Sequence, residues 1–221
     1  MNTPSPGSKL RVNCFSVSLD GFGAGPRQDP QNPLGVGGVA LPGGFFRRAR
    51  FKRWLAARTA RRASTMISRC AACPASGRGF LGATCSGPIR GEWPDDQWKG
   101  WWGNNPPYHT SVFVLTHHPR APLVMEGGTT FHFVTDGIHA ALSRACEAAQ
   151  GKDVRLGGGV ATIRQYLQAG LIDEMHLAVS PVLLGQGENL FAGLDLPKLG
   201  YERTEHVPSA SATHVVFTKR A

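Results

Sequence analysis

Val154-Arg-Leu-Gly-Gly-Gly-Val-Ala-Thr-Ile-Arg-Gln-Tyr-Leu167 is the stretch on which the reading of this chain turns. An apolar run enters three glycines and leaves as a segment of helical periodicity, which predicts a strand, a tight turn and a helix start. Glycine has no Cβ, so backbone amides in such a turn come close to a ligand. The first turn of a helix adds N–H groups with no partner inside the helix, and these favour an anion. Gly157, Gly158, Gly159, Val160, Ala161 and Thr162 are therefore candidate anion-binding residues. A dinucleotide pyrophosphate is the usual tenant of a turn like this. The spacing is not G-x-G-x-x-G, so it does not predict a Rossmann domain. The plainer alternative is a strand–helix turn with no ligand.

Working outward, Lys9 to Ser18 reads as a first strand, with Leu10, Val12, Cys14, Ser16 and Ser18 alternating with Arg11, Asn13, Phe15 and Val17. It ends in Ser18-Leu-Asp-Gly21 and a glycine-rich loop. Asp20 is a candidate catalytic carboxylate that orients substrate or relays a proton; an Asp-Gly turn residue is the alternative. Ser111 to Leu115 is a short strand running into Thr116-His-His-Pro119, and Phe131 to Val134 is another. Asp136 is expected to cap a helix through about Ala149, with Ile138, Leu142, Ala145 and Cys146 on its apolar side. Gly170 is placed to end the helix after the triple glycine. Glu174 to Val182 is a strand, and strands near Leu199 to His206 and Ala212 to Lys219 finish the chain. Strands alternate with helices and then pair with one another. That order predicts an α/β fold: a three-layer αβα arrangement on a mixed, mainly parallel sheet with antiparallel C-terminal strands.

The 221 residues suffice for one large domain, and no linker separates two patterned halves. One domain is expected over 9–221, with 1–8 a disordered N-terminus. No apolar run reaches membrane-spanning length, and Met1 to Ser8 lacks the order of a signal peptide. A soluble cytoplasmic protein is the expectation, with no membrane partner. Five cysteines, an odd number, argue against a disulfide framework. Cys70 and Cys73 form a C-x-x-C followed by Cys85, but no Cys or His lies between Cys85 and His109 to complete a zinc site. No metal is expected.

The net charge of +9 points to nucleic acid until its distribution is considered. Ten of the 24 Lys and Arg residues lie within 47–86, and no Asp or Glu occurs from Pro30 to Gly91. That leaves 14 basic residues against all 15 acidic ones in the rest of the chain. The basicity belongs to one segment, and the remainder of the chain is near neutral, which argues against a nucleic-acid-binding protein.

The ordered set of motifs resembles a known family. Ser18-Leu-Asp-Gly21, Val112-Phe-Val-Leu-Thr-His117, Leu156-Gly-Gly-Gly159, Gly170-Leu-Ile-Asp-Glu174 and Pro181-Val-Leu-Leu-Gly-Gln-Gly187 with Leu190-Phe191 are similar to the dihydrofolate-reductase-like proteins of the riboflavin-biosynthesis reductase type. The match covers 9–44 and 87–219. It implies a dihydrofolate-reductase-like fold, NADPH as hydride donor, a small-molecule substrate and a homodimer. The implied reaction is hydride transfer to a small heterocyclic or carbonyl substrate, as in a 5-amino-6-(5-phosphoribosylamino)uracil reductase. By the same resemblance, Thr116, His117, His118 and Arg120 should face the adenosine 2′-phosphate, where hydroxyl and cationic donors suit a dianion.

Residues 47–86 depart from the pattern. The family has a helix there, then a strand ending in Gly-Arg whose arginine helps hold the cofactor phosphates. Here Gly82 remains, as a further cofactor-binding candidate, but Ala83 stands where the arginine belongs. The segment reads as an out-of-frame translation. Codons built from the third base of each residue from Arg58 to Cys85 and the first two bases of the next residue's codon allow DGATGVDDDFAVRGLPSIGAWILGRNMF, which runs into Gly87. Three successive acids, an apolar strand and the missing Gly-Arg appear together.

The remaining candidates have structural readings. Trp93, Trp98, Trp101 and Trp102 can roof a flat substrate or pack a long loop; Asp173 and Glu174 suit capping and solvation. Gly185 and Gly187 suit a loop turning close to a ligand or a plain turn, and His132 and His139 have no carboxylate at ligand spacing. Two other functions compete with the reductase: an Arg-rich nucleic-acid-binding protein, and an inactive, degenerate member of the family.

Overall fold

The computed structural model describes residues 8–29, 32, 34–41, 80–81, 103–106, 108–209 and 212–220. Its strands are β1 (Leu10–Ser18), β2 (Phe22–Ala24), β3 (Phe80–Leu81), β4 (Ser111–Leu115), β5 (Leu123–Val124), β6 (Thr130–Val134), β7 (Val154–Leu156), β8 (Glu174–Ser180), β9 (Glu188–Asn189), β10 (Tyr201–Pro208) and β11 (Thr213–Lys219). Helix α1 is Gly137–Ala149 and α2 is Val160–Gln168. Nine strands form one sheet in the order β10-β11-β8-β1-β7-β3-β4-β6-β5, and β2 pairs with β9 in a separate ribbon. From β8 to β6 every pairing is parallel. The C-terminal strands β10 and β11 add to β8 antiparallel, and β5 adds antiparallel at the far edge. The sheet is therefore mixed and mainly parallel, with the antiparallel C-terminal edge that the sequence predicts.

The connections β6–α1–β7 and β7–α2–β8 step across the sheet in the same direction. Right-handed crossovers that do so lie on one face. Ala141, Leu142, Ala145, Cys146 and Ala149 of α1 and Val160, Ile163, Tyr166 and Leu167 of α2 share a core with Leu10, Val12, Leu156, Met175 and Leu177. The Tyr166 hydroxyl, fully inside this core, donates to the Ile138 carbonyl at 3.1 Å and joins the two helices. Gly170, at φ 63, ends α2 as expected. Its amide bonds Leu167 O and the next amide, of Leu171, bonds Tyr166 O, which satisfies two of the last helical carbonyls. A second core on the opposite face gathers Tyr108, Val112, Val114, Met125 and Phe131. Apart from β3, the Arg-rich segment with its Gly82, Ala83 and cysteines lies outside the described residues, as do Trp93, Trp98, Trp101 and Trp102.

Two local expectations are corrected. The alternation along β1 is not continuous: Val12 faces Met175 but Phe15 faces Leu177, so β1 carries one residue more than β8 over this stretch. The extra residue sits in a bulge at which Cys14 adopts φ 53. A bulge of this kind inverts the faces. Leu10 and Val12 enter the helix-side core before it, and Phe15 and Val17 enter it after. Asp136 holds the N-cap position of α1 but makes no side-chain cap, because its backbone (φ −86, ψ 17) is not extended as a cap requires. Its carboxylate pairs with Arg144 at 2.6 Å instead.

Candidate active site

Parallel strands deliver their following loops to one edge of the sheet. Asp20 follows β1, Gly157 follows β7 and Thr116 follows β4. Strands β1 and β7 are neighbours, and β3 separates β7 from β4. Leu81, the last residue of β3, pairs with Leu156 on one side and Phe113 on the other. The candidate Gly82 beyond it lies outside the described residues. Three of the four loops singled out from sequence therefore leave the same edge of the sheet. Open α/β sheets bind ligands at the carboxyl ends of such strands.

The triple glycine forms the turn between β7 and α2. Gly158 has φ 113, a conformation an L side chain rarely adopts, so the position calls for glycine. Gly159 is the N-cap of α2 in an extended conformation and offers no side chain to its first amides. No acidic residue lies in the first turn. The positive end of the helix is thus not neutralised by a carboxylate of its own. Gly157, Gly158 and Gly159 are half-exposed and Ala161 is exposed, while Val160 and Thr162 turn into the core. The turn sits at the surface rather than inside the core.

Beside it lies the β2–β9 ribbon. A Cβ on Gly23 would come within 2.5 Å of a Val160 methyl, so this glycine lets the ribbon close on the start of α2. A groove of about 420 Å³ runs between the two, lined by Val160, Ala161, Arg164, Gln165, Glu188 and Asn189. Arg164 holds the wall in place, donating to the carbonyls of Asn189 (3.2 Å), Leu190 (2.9 Å) and Ala192 (2.8 Å).

Asp20 is a fastening point. Its carboxylate accepts from the Ser18 hydroxyl at 2.5 Å, the Leu184 amide at 3.2 Å and the Gly185 amide at 2.7 Å. The Ser18 hydrogen bond, aided by the two amides, holds its pKa below the ordinary aspartate value. It is therefore an ionised acceptor at neutral pH. Asn189 donates to the Asp20 carbonyl at 3.0 Å from the other side. The loop after β8 is tied to the end of β1 by these contacts. Gly185 adopts φ 71 there with open space about it, whereas a Cβ on Gly187 would lie 2.1 Å from the Ala24 carbonyl oxygen. Gly187 is needed for chain-to-chain packing. Ser18, Arg164 and Asn189 were not singled out from sequence; Ser18 two residues before Asp20 is the one local signal that pointed to such a turn.

Across the sheet, the Thr116 hydroxyl accepts from the His118 amide at 3.1 Å and shapes the loop after β4. His117 is exposed beside it. Arg120 lies over the Phe133 ring, 5.5 Å from its centroid. Asp173 and Glu174 belong to the opposite end of the sheet. Asp173 accepts the Leu10 amide at 2.6 Å, and Glu174 pairs with Arg11 at 2.8 Å, which also pairs with Asp153 at 2.7 Å. Both are structural, through a strand amide and an ion pair rather than the capping and solvation expected. His132 stacks on Phe113 at 5.0 Å, and burial, with Arg144 adding to it, lowers its pKa.

The comparisons with known proteins bear on this arrangement. The family model of the RibD C-terminal domain matches residues 9–215. The chain belongs to the RibD C-terminal domain family. A protein of Shewanella sp. PV-4 assigned to riboflavin biosynthesis has a similar structure, with a TM-score of 0.52 at 17% identity, covering 97% of this chain and 99% of that one. So has the Thermotoga maritima diaminohydroxyphosphoribosylaminopyrimidine deaminase/5-amino-6-(5-phosphoribosylamino)uracil reductase, with a TM-score of 0.55 at 15% identity. The similarity to that protein covers 97% of this chain and 57% of the other. In sequence, the Bacillus subtilis (strain 168) protein YyaP is 37% identical over 59 residues, 27% of this chain and 31% of that relative. The RibD C-terminal domain fold is dihydrofolate-reductase-like, and the family is reductase-like. No helix among the described residues is long and apolar enough to cross a membrane.

Proposed function

We propose that this chain is an NADPH-dependent reductase that transfers hydride to a small heterocyclic or carbonyl substrate. The observation that carries the reading is the half-exposed triple-glycine turn at the start of α2, with no acid in the first turn and no cap of its own. The amides of Gly157 to Thr162 suit the cofactor pyrophosphate, and Thr116 and His117 suit its 2′-phosphate. When bound, NADPH supplies the hydride. Hydride transfer asks the protein mainly for position and electrostatics. The α2 N-terminus fixes the anion, and Arg164 and Asp20 fix the loops that wall the groove. Asp20, held ionised, positions the loop at Leu184–Gly185 rather than donating a proton.

A second reading, an inactive family member, is favoured by one sequence feature: Ala83 in place of the expected arginine. Titration of the purified protein with NADPH, followed by nicotinamide fluorescence, tests both. Saturable binding supports the reductase. No binding, with no salt-dependent shift of an oligonucleotide, supports the inactive member. A steep salt slope on an oligonucleotide without a nicotinamide signal makes the Arg-rich run a nucleic-acid arm. The family resemblance also supports a homodimer, which light scattering on the same sample reads directly.

A further inference from the structure

Three side chains that the proposed reaction does not use converge in the middle of the sheet. Cys14 lies on β1, His176 on β8 and His214 on β11, three strands that are neighbours in the sheet. In register, His214 stands opposite Ala178 and His176 opposite Val216, so the two histidines share a face and sit diagonally across the β8–β11 pair. That face is opposite to Met175 and Leu177, which enter the helix-side core. The β1 bulge brings the third group to it: Cys14 is the residue at which the strand register shifts. Nε2 of His176 is 3.1 Å from Nδ1 of His214, and Sγ of Cys14 completes a set of donor atoms that all lie within 4.8 Å of one another. His214 is buried, and Cys14 and His176 are half-buried.

We infer that Cys14, His176 and His214 form a binding site for a borderline-soft divalent metal ion of the zinc class. Two imidazole nitrogens and a thiolate are the donor set that such ions select over magnesium or calcium. Tetrahedral zinc with bonds of about 2.0–2.1 Å to nitrogen and about 2.3 Å to sulfur separates two nitrogens by roughly 3.3 Å and a nitrogen from sulfur by roughly 3.6 Å. The His–His spacing already meets the first figure, and closing the second asks at most about 1.2 Å of the Cys14 side chain. Three ligands leave the fourth tetrahedral position to water. Binding displaces the thiol proton and leaves each imidazole with its remaining N–H on the nitrogen not facing the metal. The site fastens β8 to its parallel neighbour β1 and its antiparallel neighbour β11 at once. It lies four residues before Ser18 on β1, roughly 13 Å from the proposed cofactor edge, and it does not depend on the NADPH reading. No ligand role is assigned to Cys70 and Cys73 of the C-x-x-C pair.

The test uses the full chain, stripped with chelator and titrated with Co²⁺ alone as a spectroscopic substitute for Zn²⁺. A thiolate-to-cobalt charge-transfer band, together with the strong visible bands of a tetrahedral ion, is expected. Cys14→Ser should abolish the charge-transfer band. His176→Gln and His214→Gln should each weaken Co²⁺ binding by more than about a hundredfold, the upper end of what losing an outer-shell partner costs. A Cys70→Ser/Cys73→Ser double variant should keep the spectrum intact. Circular dichroism checks that each variant is folded; if one is not, Zn²⁺ is tested on the unmodified chain, where it should raise the melting temperature in proportion to the logarithm of its concentration. The inference falls if the band persists in Cys14→Ser, if it vanishes in the Cys70/Cys73 variant, or if neither cobalt spectrum nor zinc-dependent melting appears.

Discussion

At the scale of single residues, the turn at Gly159 sets helix stability and anion binding against each other. Gly159 is an extended N-cap without a side chain. Gly159→Asp places a carboxylate where it caps the first amides and meets the positive helix end, which should stabilise the fold by about 0.5–1 kcal/mol. The same carboxylate occupies and repels the site assigned to the pyrophosphate, so NADPH affinity should fall by at least about tenfold. Thermal melting and fluorescence titration of one variant read the two effects. A variant that is both more stable and equally able to bind NADPH removes the pyrophosphate from this turn. Asp20 makes a second case. Its pKa is lowered in the fold, first by Ser18, so the anchoring it supplies is complete above the unfolded value of 3.8 and is lost only as pH falls through the still lower folded value. The loop after β8 is therefore fastened throughout the physiological range. Asp20→Asn removes the charge and turns a donor toward the Leu184 and Gly185 amides. Their hydrogen-exchange protection should fall by about tenfold or more while amides in β4 are unchanged. The sequence pointed to Asp20 and Gly158 because Asp-Gly and Gly-Gly pairs act locally. It did not point to the donors across the loop, because the Leu184 and Gly185 amides meet Asp20 through the fold and not through spacing.

At the scale of elements, the strongly periodic segments were legible and the irregular ones were not. Helices α1 and α2 and strands β4, β8 and β11 lie close to where apolar spacing puts them, because their apolar faces are buried against the two cores. The bulge in β1 left no mark in the pattern. Arg-Val-Asn-Cys-Phe-Ser-Val alternates acceptably in either phase, so the inversion at Cys14 is fixed only by pairing with β8. The short ribbon β2–β9 was missed for a similar reason: two or three residues carry no period, and the ribbon exists because Gly187 lets the chain before β9 approach the Ala24 backbone while Gly23 leaves room for the Val160 and Phe15 side chains. Arg164 shows how such a ribbon is attached to a helix. Its guanidinium serves three carbonyls of the chain at 189–192. Arg164→Met keeps the aliphatic stem and loses all three bonds, and should cost about 2 kcal/mol in urea unfolding. Arg164→Lys, a point charge in place of a planar fork, should recover only part of that loss. Equal midpoints for the three proteins would make the clamp incidental to stability.

At the scale of the whole molecule, strand order explains why candidates scattered over 140 residues of sequence meet at one edge. Strand β7 enters between β1 and β3 late in the chain and brings the triple glycine between loops formed much earlier. Nothing in residue spacing announces that insertion; it came into view only through the ordered family motifs. The same view isolates what does not belong. Asp153 and Glu174 pair with Arg11, and Asp136 pairs with Arg144, while residues 47–86 carry ten basic residues and no acid. If that run is an out-of-frame translation, as proposed from its codons, replacing Thr59 to Ser86 by DGATGVDDDFAVRGLPSIGAWILGRNMF restores an arginine directly after the glycine that follows β3, next to the β7 strand that carries the turn. A charge-assisted bond to a phosphate contributes roughly 1.5–3 kcal/mol, which is about a tenfold to a hundredfold gain in NADPH affinity. The replaced chain should also unfold at a higher temperature, since the new aspartates offset the unopposed positive charge of the run and lower its self-repulsion. The comparison is decisive in both directions. A gain in affinity that disappears when the new arginine alone is changed to alanine ties the deficit to one missing contact. A replaced chain that binds NADPH no better than the original would mean that the Arg-rich segment is authentic and that the cofactor phosphates, if held at all, are held by other groups.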